Sequence, residues 1–346
     1  MSLCFVPLEL VDHPDRSKIR QPHNQFYKGP PSDMNKWEAY IRAVIGHCRD
    51  KYDISAWHWV FGNEPDAPNF SMGTEDQYYA LYRHTVNAAL TVYPQIKIWA
   101  GSFATTDWLR RFIDRCGRDN THVDLLSWHH YSMIPNEYRL SAEVVRKWVS
   151  AYPNLKDAGL VIDEWNPNLP DGVSTLSADE YGAAQQAASI KYMRDGGLLY
   201  HSFFIAYDSS GVIDFKGVKH PTFNVFRMFA MMGNHELSLT VPDEEPYVGA
   251  AAACDDNGVA GVLVWNTKHK YDMHQGMAKE VTVNLGDKYK DAKVEAYLID
   301  GTSSNGYRGP QHQDLEKTAA FVANGGRVSI TMKPNSVALI MVTPGR

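Results

Sequence analysis

The stretch "SDMNKWEAYIRAVIGHCRDKYDISAWHWVFGNEP", residues 32–65, contains the unit from which the fold is predicted. Its first part places apolar side chains at helical spacing after a Ser-Asp cap. These side chains are Trp37, Tyr40, Ile41, Val44, Ile45 and Cys48. The second part, "AWHWVFG", is a short apolar run that is typical of a buried strand. A helix that leads directly into a buried strand is the repeating unit of a parallel α/β sheet.

The same helix and strand alternation continues to about residue 233. Four more pairs follow: "TEDQYYALYRHTVNAALTVY" with "IKIWAGS", "TDWLRRFIDRCG" with "VDLLSWHHY", "SAEVVRKWVSAY" with "GLVIDEW", and "SADEYGAAQQAASIKYMRDG" with "LLYHSFFIAY". The strands are short and apolar on both faces, as expected of a barrel wall that helices cover. Residues 1–233 are therefore predicted to form an α/β domain of the (β/α)8 TIM-barrel type.

The pattern changes after Gly233. The segments "ELSLTV", "GVAGVLVWNT", "KEVTVNLG", "KVEAYLID", "GRVSITMK" and "SVALIMVT" alternate polar and apolar residues in period two, with Gly, Asp and Asn turns between them. This pattern predicts an antiparallel β-sandwich over residues 234–346, without helices.

Bulk composition argues against several classes of partner. The net charge is −6 with both signs interspersed, so the chain has no block of like charge suited to nucleic acid or a membrane surface. No run reaches the roughly 18 apolar residues of a membrane span, and the chain is predicted to be soluble. The 12% aromatic content is typical of a well-filled core, and also of a cleft that stacks sugars.

Two glutamates come at the ends of different predicted strands. Glu64 follows "HWVFG" and Glu164 follows "LVID", and their separation of 164 − 64 = 100 residues fits three strand–helix steps of about 33 residues each. In a (β/α)8 barrel the reacting groups lie at the carboxyl ends of the strands. The two carboxyl groups are therefore predicted to face one another across the barrel mouth.

Paired carboxyl groups of this kind are what glycoside hydrolysis requires. One delivers a proton to the leaving oxygen, while the other is ionised and attacks the anomeric carbon. Pro65 is expected to keep Glu64 extended, and Asn63 is expected to hydrogen-bond a sugar hydroxyl. Aromatic neighbours that could desolvate one carboxyl group are Trp59, Tyr131 and Trp165.

A metal or cofactor is not predicted. His129 and His130 are adjacent on a strand and would point to opposite faces, and no other ligand lies at a suitable spacing nearby. No glycine-rich phosphate loop follows any strand. The two carboxyl groups would complete the chemistry without a cofactor.

Several stretches resemble one known family. "KYDISAWHWVFGNEPDAP", "VDLLSWHHY" and "LVIDEWNP" are similar to the retaining glycosidases of clan A, and among them to glycoside hydrolase family 39, which contains β-xylosidases and α-L-iduronidases. "MNKWEAYIRAVIGHCRDKYD", "WLRRFIDRC" and "GVKHPTFNVFRMFAMMG" extend the resemblance from about Leu3 to Gly233. Over the predicted sandwich the resemblance is only general.

The resemblance implies roles for individual residues. Glu64 would be the general acid and base, Glu164 the nucleophile, and Asn63 a ligand of the sugar 2-hydroxyl. His129 and Tyr131, in an S-x-H-x-Y pattern, would line the site. The implied mechanism retains the anomeric configuration, so we expect the two carboxyl groups to lie about 5 Å apart.

Two departures from the family accompany the resemblance. Phe204 stands where the family usually has a tryptophan, and we expect it, Tyr207 and Trp165 to contact substrate. "LCFVPLELV" matches the family's third strand, so strands one and two of the barrel are predicted to be missing from an N-terminally truncated chain. A signal carried by the missing part would make the protein secreted or periplasmic; otherwise its location is unknown.

The predicted function is thus a retaining, β-xylosidase-like glycosidase with a carbohydrate substrate. "DEWN" and "GNEPD" also resemble α-L-arabinofuranosidases of the same clan, which are the alternative within enzymes. A different class, an inactive glycan-binding protein or fragment, stays open as well. The sequence does not determine the sugar, the linkage or the oligomeric state.

Overall fold

The computed structural model describes residues 2–3, 6, 10, 29–68, 70, 73–167, 178–209, 211–242, 247–267 and 277–345. Contacts divide the chain into two compact units. The first comprises residues 1–130, 140–165 and 197–202, and the second comprises 131–139, 166–196 and 203–346. Within the described ranges, none of the helices combines the length and apolarity needed to cross a membrane.

The first part of the chain alternates strands and helices, as predicted. The elements are β1 Ser2–Leu3, α1 Met34–Lys51, β2 His58–Phe61, α2 Glu75–Val92, β3 Lys97–Phe103, α3 Thr106–Asp119, β4 Leu125–Tyr131, α4 Asn136–Ser150, β5 Gly159–Asn166, α5 Glu180–Asp195, β6 Tyr200–Phe203 and α6 Pro221–Met231. The six strands form one sheet in sequence order, and the pairs β1–β2, β2–β3 and β3–β4 are parallel. This is an α/β fold of the TIM-barrel type. The prediction that two earlier strands are missing stays a prediction.

Local signals explain why α1 forms where the sequence predicts it. Asp33 caps the helix, because its side chain accepts hydrogen bonds from the backbone N–H groups of Asn35 and Lys36. The predicted apolar stripe is largely buried, and its buried members are Trp37, Ile41, Ile45 and Cys48. Trp37 also donates its indole N–H to Thr85 of α2 at 2.7 Å, which joins the two helices.

The second unit contains the antiparallel strands. They are β7 His235–Glu236, β8 Val248–Cys254, β9 Ala260–Asn266, β10 Lys279–Asn284, β11 Lys293–Ile299, β12 Lys317–Val322, β13 Arg327–Met332 and β14 Ser336–Thr343. Six of them form a sheet in the order β12-β11-β14-β9-β8-β7, and β10 pairs with β13. The predicted antiparallel character of this region is confirmed.

The six-stranded antiparallel sheet is covered on both faces. On one face, Ile340 and Val342 of β14 pack with residues of β10 and β13 in a common hydrophobic cluster. On the other face, Val337 and Leu339 pack with alanines of α5 and with Met228 of α6. The last two helices of the alternating region therefore belong to the second compact unit. The predicted domain boundary at residue 233 stays a prediction.

Some strand predictions in this region were wrong. "ELSLTV" forms a strand only at its first residue, Glu236, which ends β7. Two strands, β8 and β12, were not predicted. β8 consists mainly of glycine and alanine, which have low strand propensity, and its pairing with β9 along seven residues decides its conformation instead.

A β-bulge interrupts the pairing of β3 with β4. Register is lost between Ala100 and Phe103, so Gly101 and Ser102 both stand opposite Ser127. Gly101 has φ +118°, and a Cβ atom there would lie 2.4 Å from the carbonyl oxygen of Ser127. Only glycine therefore fits this position without a backbone shift.

We expect Gly101→Ala to lower the free energy of unfolding by about 2 to 4 kcal/mol, because it adds a backbone contact to the strain of a positive φ. Gly197→Ala is the matched control, since Gly197 also has a positive φ of 72° but an added Cβ there meets nothing within 4 Å. Its cost should be about 1 kcal/mol, the strain alone. Urea-induced unfolding of both variants measures the difference, and equal losses would contradict the importance of the close approach.

Candidate active site

The chain leaves β2 through a tight backbone turn that carries Glu64. The Glu64 N–H donates to the carbonyl of Ser102 at 2.8 Å, and the Glu64 carbonyl accepts from Ala67 at 3.0 Å. Glu64 has φ +43°, so the expectation that Pro65 holds it extended was wrong. The two backbone hydrogen bonds outweigh the preference of a residue before proline, and they fix Glu64 in a left-handed turn.

Asp66 anchors the same turn to the next strand–helix connection. Its carboxylate accepts hydrogen bonds from the backbone N–H groups of Ala104 at 2.9 Å and Thr105 at 2.6 Å, and from the Thr105 hydroxyl at 2.7 Å. Thr105 is the N-cap of α3, where unpaired N–H groups attract an anion. The loop that carries Glu64 is thereby tied to the start of α3.

Glu64, His129 and Glu164 meet at the ends of their strands, and we call them the carboxylate–imidazole cluster. One carboxylate oxygen of each glutamate and one ring nitrogen of His129 all lie within 4.8 Å of one another. His129 Nδ1 is 2.8 Å from Glu64 Oε1, a hydrogen bond, and 3.7 Å from Glu164 Oε1. The His129 side chain is 3% exposed, whereas those of Glu64 and Glu164 are 17% and 22% exposed. Both carboxyl groups thus lie near the same ring nitrogen of a buried imidazole and are themselves partly exposed to solvent.

A third carboxylate lies behind the imidazole. Asp163 Oδ1 is 3.7 Å from His129 Nε2. The other oxygen, Oδ2, accepts a short hydrogen bond from the Ser102 hydroxyl and one of 3.2 Å from the Ser127 hydroxyl. Ser127 Oγ in turn accepts from the Ser102 N–H at 2.7 Å. The bulge in β3 is what brings Ser102 to this position.

The predicted site residues do not include Asp163, Ser102 or Ser127. Two signals were present in the sequence. Ser127 and His129 are two residues apart on a strand and so share a face. Asp163 is a charged residue inside the otherwise apolar run "GLVID", and such a residue needs a partner when the strand is buried.

The environment of His129 favours its charged form. Burial opposes that charge, but the hydrogen bond to Glu64 and the negative charges of Asp163, Glu164 and Glu64 outweigh burial and raise the pKa of His129. Burial raises the pKa of Asp163, although His129 and the serine hydroxyls act in the opposite direction. The positive charge of His129 and the negative charge of Asp163 therefore stabilise one another across 3.7 Å.

Trp165 supports the strand that carries Glu164. Its ring is completely buried, and its indole N–H donates to His201 Nδ1 at 3.2 Å. The two rings also pack edge to face, with centroids 5.6 Å apart. Burial lowers the pKa of His201 to about 4, so this imidazole is neutral and can accept the hydrogen bond.

The other predicted substrate contacts are exposed or half-buried. Asn63 is half-buried beside Glu64 in the first compact unit. Tyr131, Phe204 and Tyr207 belong to the second unit, where Tyr131 is half-buried and the latter two are 44% and 55% exposed. Tyr207 donates its hydroxyl to the carbonyl of Phe215 at 3.0 Å. Their predicted roles stay predictions.

The carboxylate–imidazole cluster is also the group, among the described residues, whose spacing could hold a metal ion. His129 Nδ1 is already hydrogen-bonded to Glu64, and Nε2 faces Asp163. We therefore interpret the cluster as a proton-sharing group. The prediction that the chain uses neither metal nor cofactor stays a prediction.

Comparisons with known proteins identify a family and several relatives. The family model described as Glycosyl hydrolases family 39 matches residues 5–314. A β-xylosidase of Geobacillus stearothermophilus is 23% identical over 323 residues, covering 82% of this chain and 62% of that protein. A β-xylosidase of Caldicellulosiruptor saccharolyticus is 21% identical over 276 residues, covering 68% and 55%.

A solved structure shares the fold. The crystal structure of a monomeric β-xylosidase from Caulobacter crescentus superposes with a TM-score of 0.78 at 17% identity, covering 93% of this chain and 77% of that one. The two β-xylosidases matched by sequence are longer proteins, and the chain spans less than two thirds of the length of each.

We expect the stability of the fold to fall as pH rises through the folded-state pKa of His129. Below about pH 6.5, the unfolded value, the imidazole is charged in both states and its ion pairs contribute in full; above the raised folded pKa they are lost. The difference in unfolding free energy between wild type and His129→Gln should therefore shrink from pH 6 upward, as urea titrations at several pH values can measure.

The exposed histidine His47 of α1 provides the control, because His47→Gln should leave the pH dependence of the wild type intact. Stability curves for wild type and His129→Gln that run parallel across this range would contradict the proposed charge on His129.

Proposed function

We propose that this chain, which belongs to family 39 of the glycosyl hydrolases, is a retaining glycosidase that cleaves O-glycosidic bonds with Glu64 and Glu164. The observation that carries the proposal is the approach of the two carboxyl groups, whose nearest oxygens lie within 4.8 Å of one another. A retaining mechanism needs carboxyl groups about 5 to 5.5 Å apart, whereas inversion needs at least about 6.5 Å to admit a water molecule.

The reaction would proceed in two displacements. In the first, the Glu64 carboxylic acid gives its proton to the glycosidic oxygen as the bond to the anomeric carbon breaks, and the Glu164 carboxylate attacks that carbon. The leaving group departs as an alcohol, and a glycosyl ester on Glu164 remains. In the second, the Glu64 carboxylate takes a proton from water, and the water oxygen displaces Glu164.

The surroundings of Glu64 support its assignment as acid and base. Its backbone N–H and carbonyl are both hydrogen-bonded, and its side chain is held by His129 at one carboxylate oxygen, which leaves the other oxygen for substrate. Asn63, directly before it, is proposed to bind the sugar hydroxyl next to the reacting carbon. Trp165 is buried, and we propose that it acts by supporting Glu164 through packing.

The substrate is proposed to be a β-xyloside. The support is that two relatives matched by sequence are β-xylosidases. Their identity to this chain is low, at 23% and 21%, so the substrate is proposed separately from the retaining mechanism. Phe204 and Tyr207 are exposed aromatic side chains suited to sugar contacts. An α-L-arabinofuranosidase is the alternative within enzymes, and a panel of nitrophenyl glycosides separates the two.

The test of catalysis is the loss of activity on changing each glutamate. Glu164→Ala should reduce kcat on nitrophenyl β-xyloside by on the order of 10⁴-fold or more, since no nucleophile remains. Asp107→Ala removes an exposed carboxylate on α3 and should leave activity unchanged. Equal slow hydrolysis by wild type and Glu164→Ala would instead indicate a glycan-binding protein without catalysis.

The two roles can be told apart by leaving group and stereochemistry. Glu64→Ala should lose about 10²- to 10⁴-fold on substrates with poor leaving groups, and far less on activated ones that need no proton. Added azide should rescue Glu64→Ala with retention and Glu164→Ala with inversion, as product NMR measures. Products of the reverse configuration would exchange the two assignments.

A further inference from the structure

Asp163 contacts the site, yet the two-glutamate mechanism gives it no task. It lies on β5 directly before Glu164, and its Oδ1 atom faces His129 Nε2 at 3.7 Å. We propose that Asp163 is a positioning residue that keeps His129 protonated on both ring nitrogens, so that His129 always donates to Glu64. This inference rests on the proposed role of Glu64 as acid and base.

The hydrogen bonds of Asp163 direct its charge at the imidazole. Both serine hydroxyls, from Ser102 and Ser127, donate to Oδ2. The Oδ1 atom is buried and receives no hydrogen bond from the described residues, so the cation that it can stabilise is His129. A buried carboxylate oxygen without a donor is costly unless a positive charge lies nearby.

The protonation state of His129 decides where the proton of Glu64 can be. A neutral imidazole with hydrogen on Nε2 would have Nδ1 as an acceptor, and Glu64 would then donate its own proton to Nδ1 at 2.8 Å. An imidazolium donates from Nδ1 to Oε1 instead. The Glu64 proton must then lie on Oε2, the oxygen left for the glycosidic bond.

The same donation assists the step after proton transfer. When Glu64 has lost its proton, the Nδ1–H of the imidazolium is a charge-assisted donor to the new carboxylate. Because Glu164 Oε1 is only 3.7 Å from the same nitrogen, the imidazolium also offsets the repulsion between two carboxylates until Glu164 becomes an ester. Asp163 supports both effects by stabilising the cation from the opposite side of the ring.

The charged groups around His129 come from two strand ends. Glu64 follows β2, and Asp163 and Glu164 lie on β5; all three act to raise the pKa of His129. Tyr78 of α2 is a further titratable group in the field of Asp163, and its burial raises its pKa far enough to keep it neutral. The balance of charge on the imidazole therefore depends on the three carboxyl groups.

The pH profile of kcat/KM tests the inference. Asp163→Asn removes a negative charge from the cluster, so the alkaline limb should move to lower pH by about one pH unit. Losses at neutral pH should be large for poor leaving groups and small for activated ones, because only the former need the proton of Glu64. Asp107→Asn, the same change on the exposed face of α3, should leave the profile unchanged.

A second variant covers the case in which Asp163→Asn does not fold. Ser102→Ala keeps a Cβ atom at the same positive φ of 54° and removes only the hydroxyl that donates to Asp163. Its alkaline limb should shift in the same direction by a smaller amount, since Ser127 still donates. The inference would be overturned if the alkaline limb of kcat/KM in both folded variants, Asp163→Asn and Ser102→Ala, coincided with that of the wild type. Equal losses of kcat/KM on substrates with good and poor leaving groups would overturn it as well.

NMR titration of the His129 imidazole separates this inference from the proposed function. The pKa of His129 should fall by about one unit or more in Asp163→Asn whether or not the chain hydrolyses a glycoside. An inactive wild type with this fall would overturn the glycosidase proposal and retain the link between Asp163 and His129. An unchanged titration would overturn the link, whatever the activity.

Discussion

The buried imidazole of His129 lies within 3.7 Å of three carboxyl groups, those of Glu64, Asp163 and Glu164. Two ionised groups within 4.8 Å of one another repel by at least about 3 kcal/mol at the effective dielectric constant of a protein site. Glu64 and Glu164 can therefore remain this close only if one is protonated or a cation offsets them. His129 is hydrogen-bonded to Glu64 and lies 3.7 Å from Glu164, and its raised pKa favours that cation. The compensation matters when Glu64 has lost its proton, because two ionised carboxylates this close would otherwise repel one another.

The backbone around the cluster is shaped to bring these groups together. Ser102 has a central position, because its carbonyl accepts from the Glu64 N–H while its hydroxyl donates to Asp163. The bulge at Gly101 sets both contacts, since regular pairing with β4 would turn Ser102 away. The same two residues thus fix the placement of Glu64 and of the carboxylate behind His129. Strain in left-handed backbone at Glu64 and Ser102 is the cost, and it is concentrated where the side chains must be exact in position.

The sequence predicts the two glutamates at the strand ends better than the residues behind His129. Glu64 and Glu164 could be located because strand ends are visible as the last residues of apolar runs, and parallel strands present those ends at one edge. Asp163 could not be placed, because its contacts join three strands, β3, β4 and β5, and the bulge between β3 and β4 is not visible in the sequence. The packing of α5 against the antiparallel sheet was equally hidden: its alanine-rich sequence is buried on several sides and has no clear apolar stripe.

His201 shows what burial does to an imidazole of the first compact unit when burial is the cause that shifts its pKa. Its partner is the indole of Trp165, and burial lowers its pKa to about 4. His129 is buried too, so desolvation acts on both rings in the same direction. The difference in sign must then come from the carboxyl groups, which raise the pKa of His129. The neutral His201 ring suffices to accept a hydrogen bond from Trp165. A protonated His129 ring, in contrast, can offset negative charge on Glu64 and Glu164.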